Sequence, residues 1–285
     1  MNCAVCGNLG VVGTRYCQDC GQRLPHDPPA AFVNVAAVSI GPVAPESNGA
    51  VGNGAASNGS APWGTTQIVL GIVIVLVLLF AAAGAAAGIA TLYSAQEDAV
   101  ATWISVHLTA IAIIGTVWFF GLRHCQSPLS AIGLDSFRMP AKRAFLLAAA
   151  VLAASLIITS VYALLVSWWG IGFLEPPDLD SGIAFDGAAV LLTFQALALM
   201  TPITEEVFFR GFIFGGLLRR VGPRWAIIIS ALVFSAFHLS LGVFIPIFIT
   251  GVLFAWLYWR TGSLWAAIAA HAGQNALAVG FGILG

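Results

Sequence analysis

The sequence has few charged residues. Of its 285 residues, 8% are Asp, Glu, Lys or Arg, whereas 59% are hydrophobic and the mean hydropathy is +0.94. Soluble domains carry about one quarter charged residues, so this composition excludes an ordinary soluble globular domain. The formal net charge of −1 shows no excess of either sign, and we expect no nucleic-acid partner. The composition favours a lipid bilayer as the environment of most of the chain.

Long stretches of the chain contain no charge at all. A helix needs about 20 apolar residues to cross about 30 Å of hydrocarbon. The sequence contains seven such runs, the fourth of which continues as helix towards residue 219. The runs cover approximately 67–92, 100–121, 144–169, 187–205, 225–241, 243–260 and 263–283. The predicted fold is therefore an all-α polytopic membrane protein with about seven transmembrane helices.

Lys and Arg are missing from alternate loops. All 11 of them lie before the first run, between the second and third, between or at the inner ends of the fourth and fifth, or after the sixth. The opposite loops carry acidic residues instead: Glu97, Asp98, Glu175, Asp178, Asp180 and Asp186. The positive-inside rule then predicts a multi-pass protein of the cell membrane with a cytoplasmic N-terminus. The chain opens on a cysteine motif, so we expect no signal peptide.

Cysteine is also scarce, yet four of the five cysteines stand in the first 20 residues. Cys3, Cys6, Cys17 and Cys20 form two C-x-x-C-G motifs, which suit the four thiolate ligands of tetrahedral zinc. We predict a structural zinc ribbon over residues 1–25, which resembles modules at the start of many bacterial membrane proteins and is a candidate docking site for a protein partner. Two disulfides are an alternative that a reducing cytoplasm disfavours, and a redox site needs one pair only.

The segment that follows the cysteine motifs has a different composition. Residues 26–64 consist largely of Pro, Gly, Ala, Ser and Asn, with few charges. Such a composition buries little apolar surface and is typical of a flexible linker. We therefore expect a tether between the zinc ribbon and the first membrane helix.

Ionisable side chains inside the apolar runs are costly in a bilayer and point to function. They occur in three runs, as Glu205, Glu206 and Arg210, as His238, and as His271 with Asn275. At 1.5 Å per residue from the nearest cytoplasmic arginine, Glu205 and His238 lie roughly 21 Å deep, and His271 and Asn275 roughly 17 and 23 Å. Each group alone is equally well interpreted as an interhelical hydrogen bond or a packing pair. Their common depth predicts one site.

Helical spacing adds detail to this site. Glu206 and Arg210 are four residues apart, so they share a face and can form an ion pair. Glu205 lies about 100° round the helix from Glu206 and is free to face another partner. His271 and Asn275 are also four residues apart and can point at one place.

These residue types suit the hydrolysis of an amide. A glutamate in a water-poor cavity can act as a general base and, with a histidine, remove a proton from water. An asparagine and a second histidine can donate hydrogen bonds to the oxyanion. The same set can also bind a catalytic zinc ion, and the sequence leaves this open. The chain has no H-E-x-x-H, no G-x-S-x-G and no paired membrane aspartates, which disfavours soluble-type zinc, serine and aspartyl proteases.

Three short motifs follow each other on the late helices. "EEVFFR" reads E-E-x-x-x-R, "FSAFH" reads F-x-x-x-H and "HAGQN" reads H-x-x-x-N. In this order they resemble the CPBP intramembrane proteases, the family of CAAX prenyl proteases and bacteriocin-processing (Abi) proteins. The resemblance covers about residues 129–280, beginning near "LSAIGL". It implies a protease core at 123–285, preceded by two accessory helices at 65–122.

The resemblance also implies a role for each motif residue. Glu205 and His238 would activate the attacking water, His271 and Asn275 would support the oxyanion, and Glu206 and Arg210 would orient the site. The implied activity is that of an intramembrane endopeptidase, of glutamate type or a metalloprotease, acting on membrane-associated peptides or proteins. A non-enzymatic scaffold or immunity protein of the same fold is the first alternative, which the complete set of motif residues disfavours. A proton-coupled transporter is the second, and the sequence shows no inverted repeat to support it.

Overall fold

The computed structural model describes residues 61–93, 95–177 and 181–284. The predicted zinc ribbon, with Cys3, Cys6, Cys17 and Cys20, and the linker up to residue 60 lie outside the described residues. Within the described ranges the chain forms helices and contains no β-strand, so the prediction of an all-α fold is confirmed.

Nine α-helices occur in the described residues, and π-helical turns interrupt them in the middle of the chain. The α-helices are α1 Thr65–Ala90, α2 Glu97–Phe120, α3 Pro128–Ala131, α4 Ala141–Trp169, α5 Val190–Phe194, α6 Thr201–Glu206, α7 Gly215–Ala236, α8 Leu241–Thr261 and α9 Leu264–Leu284. The π-helical segments are Gln195–Met200, between α5 and α6, and Val207–Phe214, between α6 and α7. Short 3-10 turns cover Leu122–His124, Gly172–Leu174, Ser181–Ile183 and Gly187–Ala189.

Five helical stretches of the described chain are long and apolar enough to cross a membrane. They are Thr65–Ala90, Glu97–His124, Ala141–Trp169, Gly187–Ala236 and Leu241–Thr261. The fourth is 50 residues long and contains the fourth and fifth predicted spans, while α9 coincides with the seventh. Helices suit these sequences because hydrocarbon offers no partner for the backbone, which must therefore satisfy its own hydrogen bonds. The chain is a multi-pass membrane protein.

The long fourth stretch is broken at one glycine. Gly222 has φ 80° and ψ 169°, a conformation that only glycine adopts without strain, and Pro223 follows it. A proline is well tolerated at the start of a helix because its missing N–H has no partner there. The segment after the break, up to Ala236, is therefore a separate short helix that ends well before the length of a full span.

The π-helical turns have a local cause. Pro202 stands at the start of α6 and has no N–H, and its ring crowds the carbonyl of the preceding turn, so the helix widens ahead of it. The hydroxyl of Thr201 donates to the carbonyl of Ala196, and that of Thr204 to the carbonyl of Met200. Wide turns of this kind are frequent at functional sites. Here they flank the two adjacent glutamates.

The ends of the helices that carry the arginines meet on one face. Arg138 donates its backbone N–H to the carbonyl of Thr261, and Leu264 donates to the carbonyl of Gly133, so the loop before α4 lies against the turn between α8 and α9. On the same side, Arg219 donates to the carbonyl of Ala61. The cytoplasmic orientation of this face stays a prediction from the positive-inside rule.

Candidate active site

The site contains a buried ion pair between Arg210 and Glu206. The Nη1 atom of Arg210 lies 2.8 Å from Oε1 of Glu206, and the two side chains are 1% and 0% exposed. This is the pair that the four-residue spacing predicts. Arg210 also donates Nη2 to the carbonyl of Gly251 on α8, and its guanidinium lies 4.4 Å from the ring centroid of Phe234. The charge of Arg210 is thus matched by a carboxylate, a carbonyl and an aromatic face.

His271 joins this pair from the neighbouring helix α9. Its Nδ1 atom lies 2.8 Å from Oε1 of Glu206, the oxygen that also receives Arg210. A carboxylate bound to arginine accepts hydrogen bonds, so Nδ1 of His271 carries the donated proton. The Nε2 atom then faces the other way, 3.6 Å from Oε2 of Glu205. The ring of His271 therefore connects the two adjacent glutamates.

Glu205 and His238 line a common cavity. The cavity has a volume of about 90 Å³, and its other lining residues are Val75, Leu79, Thr109, Ile113, Phe208, Phe209 and Phe237. Glu205 is 22% exposed, in contrast to the fully buried Glu206. His238 donates Nδ1–H to the carbonyl of Phe234, 2.9 Å away, which leaves Nε2 as the nitrogen available to a ligand. The cavity thus combines a carboxylate and an imidazole with an apolar wall.

Asn275 is placed differently from the motif partner His271. Its amide nitrogen Nδ2 donates to the carbonyl of Leu197, 3.0 Å away in the first π-helical segment. In a π-helix, each N–H binds the carbonyl five residues earlier, so an N–H at residue 202 would bind the carbonyl of Leu197. Because proline has no N–H, the side chain of Asn275 supplies the missing donor. One of the two amide protons of Asn275 remains for another acceptor.

The contacts of the two histidines bear on whether a metal ion can bind at the site. Each histidine of the site keeps Nε2 available to a ligand, because Nδ1 of His271 is bound to Glu206 and Nδ1 of His238 to Phe234, as is usual for a metal-binding histidine. Across the described ranges, no three His, Cys, Asp or Glu side chains converge closely enough to hold one ion. Zinc sites in proteases use three such ligands. A zinc ion here would therefore need a ligand in addition to the side chains that converge in the described residues.

The structure brings most of the predicted site residues together. Glu205, Glu206, Arg210 and His271 form one connected group, and His238 faces the same cavity as Glu205. Asn275 binds the backbone at Leu197, about two turns before the glutamate pair. The sequence patterns did not predict that the carbonyl of Leu197 accepts a hydrogen bond from Asn275, or that the carbonyl of Gly251 accepts one from Arg210. A proline inside a helical run is the signal that indicates free carbonyls nearby.

One polar cluster lies apart from this group. His107 donates Nδ1–H to the carbonyl of Trp103, 2.7 Å away, and its Nε2 accepts a hydrogen bond from the amide nitrogen of Gln195, 3.1 Å away. Trp103 in turn donates to the amide oxygen of Gln195. This cluster joins α2 to the first π-helical segment and uses both nitrogens of the histidine.

The fold and the site define a polytopic helical membrane protein with a buried Glu–Arg–His group beside an apolar cavity. The model of the family described as type II CAAX prenyl endopeptidase Rce1-like matches residues 187–277. This segment runs from the start of the π-interrupted helix into α9 and contains all six motif residues, so the resemblance to the CAAX-type endopeptidase family is confirmed. It leaves α1, α2 and α4 outside. No curated protein and no solved structure matches the chain significantly.

Proposed function

We propose that this protein is an intramembrane endopeptidase that hydrolyses peptide bonds of membrane-associated substrates. One observation carries the proposal: the carboxylate of Glu205 and the imidazole of His238 line one apolar cavity, and Nε2 of His271 lies 3.6 Å from Oε2 of Glu205. A carboxylate and an imidazole at such a cavity can position and deprotonate water. The match to an endopeptidase family over residues 187–277 supports the assignment.

In the proposed reaction, Glu205 accepts a proton from a water molecule that also donates a hydrogen bond to Nε2 of His238. The oxygen of this water forms a bond to the carbonyl carbon of the scissile amide, and the π electrons of the carbonyl move to its oxygen. The protonated Glu205 then delivers its proton to the amide nitrogen. The C–N bond breaks, which yields a carboxylic acid and an amine.

The remaining residues stabilise this reaction in the proposal. Glu206, fixed by Arg210, orients the ring of His271 in the way that a carboxylate orients the histidine of a hydrolase triad. When protonated on Nε2, His271 can donate to the oxyanion of the tetrahedral intermediate. The second amide proton of Asn275 is a further donor on the same helix. Loss of one oxyanion donor typically lowers kcat by about 100- to 1,000-fold.

The proposed location and cofactor follow from the sequence. The face with the arginines is assigned to the cytoplasm, so the N-terminal cysteines lie in a reducing compartment and bind a structural zinc ion. The ribbon is a docking module for a protein partner. The cavity is reached from the cytoplasmic side, and its apolar wall suits membrane-associated substrates.

The decisive experiment measures cleavage by purified protein in lipid nanodiscs. Wild type and Glu205→Gln are incubated with a library of membrane-tethered peptides, and products are identified by mass spectrometry. We expect wild type to cleave a subset and Glu205→Gln to lose at least about 100-fold in rate, as for loss of a general base. Glu97→Gln, an exposed glutamate at the start of α2, is the matched control and keeps full activity. Cleavage that survives Glu205→Gln would refute Glu205 as the base. A wild type that cleaves nothing but carries protons across liposomes would support the transporter.

A further inference from the structure

Polar side chains of α4, α8 and α9 meet in a buried cluster that the proposed reaction does not use. Ser155 of α4 donates its hydroxyl proton to Oε1 of Gln274 on α9, 2.7 Å away. A serine hydroxyl has one proton, so the same oxygen accepts a hydrogen bond from Thr250 of α8, whose Oγ1 lies 2.8 Å away. Ser155 and Thr250 are 0% and 4% exposed. One buried hydroxyl therefore joins three helices.

This cluster closes a ring of contacts that begins and ends on α9. The residue after Thr250 is Gly251, whose carbonyl accepts Nη2–H of Arg210 at 3.2 Å. Arg210 binds the carboxylate of Glu206, and His271 donates to the same carboxylate oxygen. His271 stands on α9 three residues before the glutamine of the cluster. The ring thus passes from α9 through α6, the second π-helical segment, α8 and α4, and returns to α9.

The sequence of α9 provides few bulky side chains that could fix its rotation. Ala and Gly fill 9 of the 17 positions in residues 264–280. Helices pack through ridges of side chains, which such a surface lacks over much of its length. At Gly273, a Cβ atom would lie 2.8 Å from Cδ2 of Leu152, so α4 and α9 approach closely beside the contact of Ser155 with Gln274. A connected network of buried hydrogen bonds specifies one arrangement of such helices.

The rotation of α9 matters because it carries two of the motif residues. Successive residues are about 100° apart on a helix, and a rotation of α9 moves His271 and Asn275 together. Groups that act on a substrate must be held within about 0.5 Å and 10–20° of their working geometry. Gln274 is adjacent to Asn275 and three residues after His271, so a contact that fixes Gln274 also fixes both motif residues.

We propose that Ser155, Thr250 and Gln274 are positioning residues, which hold α9 in the rotation at which His271 reaches Glu205. This inference rests on the proposed endopeptidase function. The three residues act through α9 and touch no reacting atom. Ser155 lies outside residues 187–277, the segment that matches the endopeptidase family, so α4 contributes to the site from beyond that segment.

Two substitutions of Thr250 separate positioning from packing. Thr250→Val keeps the shape of the side chain but removes the hydroxyl that donates to Ser155, whereas Thr250→Ser keeps the hydroxyl and removes a methyl group. A packing role makes serine the more harmful change, and a positioning role makes it valine. Interhelical hydrogen bonds contribute modestly to the stability of membrane proteins, so we expect both variants to fold. Ser160→Ala, at an exposed position of α4, is the control.

The first experiment measures kcat and KM in nanodiscs with a peptide that wild type cleaves. A misplacement of reacting groups by about 1 Å can cost about 100-fold in rate. We expect Thr250→Val and Gln274→Met, which remove a donor and an acceptor of the cluster, to lower kcat by about 10- to 100-fold at an unchanged KM. Thr250→Ser and Ser160→Ala keep the wild-type kcat. An unchanged kcat in Thr250→Val, or an equal loss in Thr250→Ser, would overturn the positioning role and leave the endopeptidase assignment standing.

A second measurement does not depend on turnover. Protein with ¹⁵N in its histidine rings is studied by NMR, and the signal of His271 is assigned by its loss in His271→Gln. We expect Thr250→Val and Gln274→Met to shift or broaden this signal and Thr250→Ser to leave it unchanged. If the signal responds in this way while wild type cleaves nothing, the positioning role stands and the proposed function alone fails. A signal that is unchanged in both Thr250→Val and Gln274→Met overturns the positioning role, whatever the result of the cleavage assay.

Discussion

The Nδ1 atom of His271 and the Nη1 atom of Arg210 lie at the same distance, 2.8 Å, from a single oxygen of Glu206. One buried carboxylate oxygen thus joins two helices and fixes the ring that faces Glu205. The other oxygen of Glu206, Oε2, is buried and has no hydrogen-bond partner, and the same is true of Nε of Arg210. Such unsatisfied buried atoms are rare in proteins.

Arg210→Met should strongly destabilise the protein. The substitution leaves the carboxylate of Glu206 buried without its cation, and removal of one partner of a buried pair typically costs about 3–5 kcal/mol. The double variant Glu206→Gln with Arg210→Met removes both charges, and we expect it to lose less stability than the sum of the single changes. Unfolding free energies in lipid or detergent, measured by denaturant titration, test this. Glu97→Gln, at an exposed position, is the control and should change the stability by less than about 0.5 kcal/mol. Strictly additive losses would show that the pair is not coupled.

Much of this site follows from the sequence because it depends on helical periodicity. The four-residue spacing alone predicts the pair of Glu206 and Arg210, and the apolar runs predict the helices that carry the motifs. The approach of His271 to Glu205 follows from similar depths on two helices, although depth alone leaves the helix rotations open. The family resemblance then adds roles that spacing does not provide.

Other contacts of the site depend on tertiary structure and lie beyond sequence patterns. The hydrogen bond from Asn275 to Leu197 requires a wide helical turn whose register no local pattern fixes. The cavity wall of α1 and α2 arises from the packing of an apolar hairpin with little amphipathic pattern, so the sequence does not indicate which of its faces points inward. The contact between Trp63 and Phe212 is a third example, because a single tryptophan after a linker gives no sign of its partner.

Trp63→Phe should weaken the link between the end of the predicted linker and the core. Trp63 is 4% exposed, stacks on the ring of Phe212 and donates Nε1–H to the carbonyl of Phe212, 2.8 Å away in the second π-helical segment. Phenylalanine keeps the stacking but leaves this buried carbonyl without its donor, at a cost of about 1–3 kcal/mol. The melting temperature in nanodiscs should fall accordingly, whereas Trp168→Phe, at a position that is 80% exposed, should leave it unchanged.

A substitution at Gly216 tests the position of the Trp63 ring from the opposite side of the contact. At Gly216, a Cβ atom would lie 2.7 Å from the indole of Trp63 and 2.7 Å from Cδ1 of Ile68, so Gly216→Ala must displace both side chains. We expect Gly216→Ala to destabilise wild type and to cost less in the Trp63→Ala background, where the ring is absent. Equal losses in both backgrounds would contradict the contact.

The chain of residues 1–285 should bind one zinc ion per molecule through the four cysteines in its first 20 residues. Replacement of Cys3, Cys6, Cys17 and Cys20 by serine should abolish the binding, measured by elemental analysis of protein purified under reducing conditions. Cys125 serves as an internal reference for thiol titration, because burial raises the pKa of its thiol and so lowers its thiolate fraction at neutral pH. A maleimide at pH 7 should therefore react slowly with Cys125 and fast with thiols released from zinc by a chelator. Full metal content in the serine variant would instead assign the metal to the membrane site.

Asn275→Ala should affect stability and activity through separable routes. The substitution removes the donor to the carbonyl of Leu197, and a buried acceptor left unsatisfied costs about 1–3 kcal/mol. The need for this donor arises from Pro202, which has no N–H, so Pro202→Ala supplies a backbone donor in the same turn. We expect the stability loss of Asn275→Ala to be smaller in the Pro202→Ala background than in wild type, as a double-mutant cycle of unfolding free energies would show.

If Asn275 also donates to the oxyanion, the fall in kcat persists in the double variant although its stability recovers. Recovery of both would make Asn275 a structural residue only, and a fully additive cycle would show that Pro202 does not create the need for the donor.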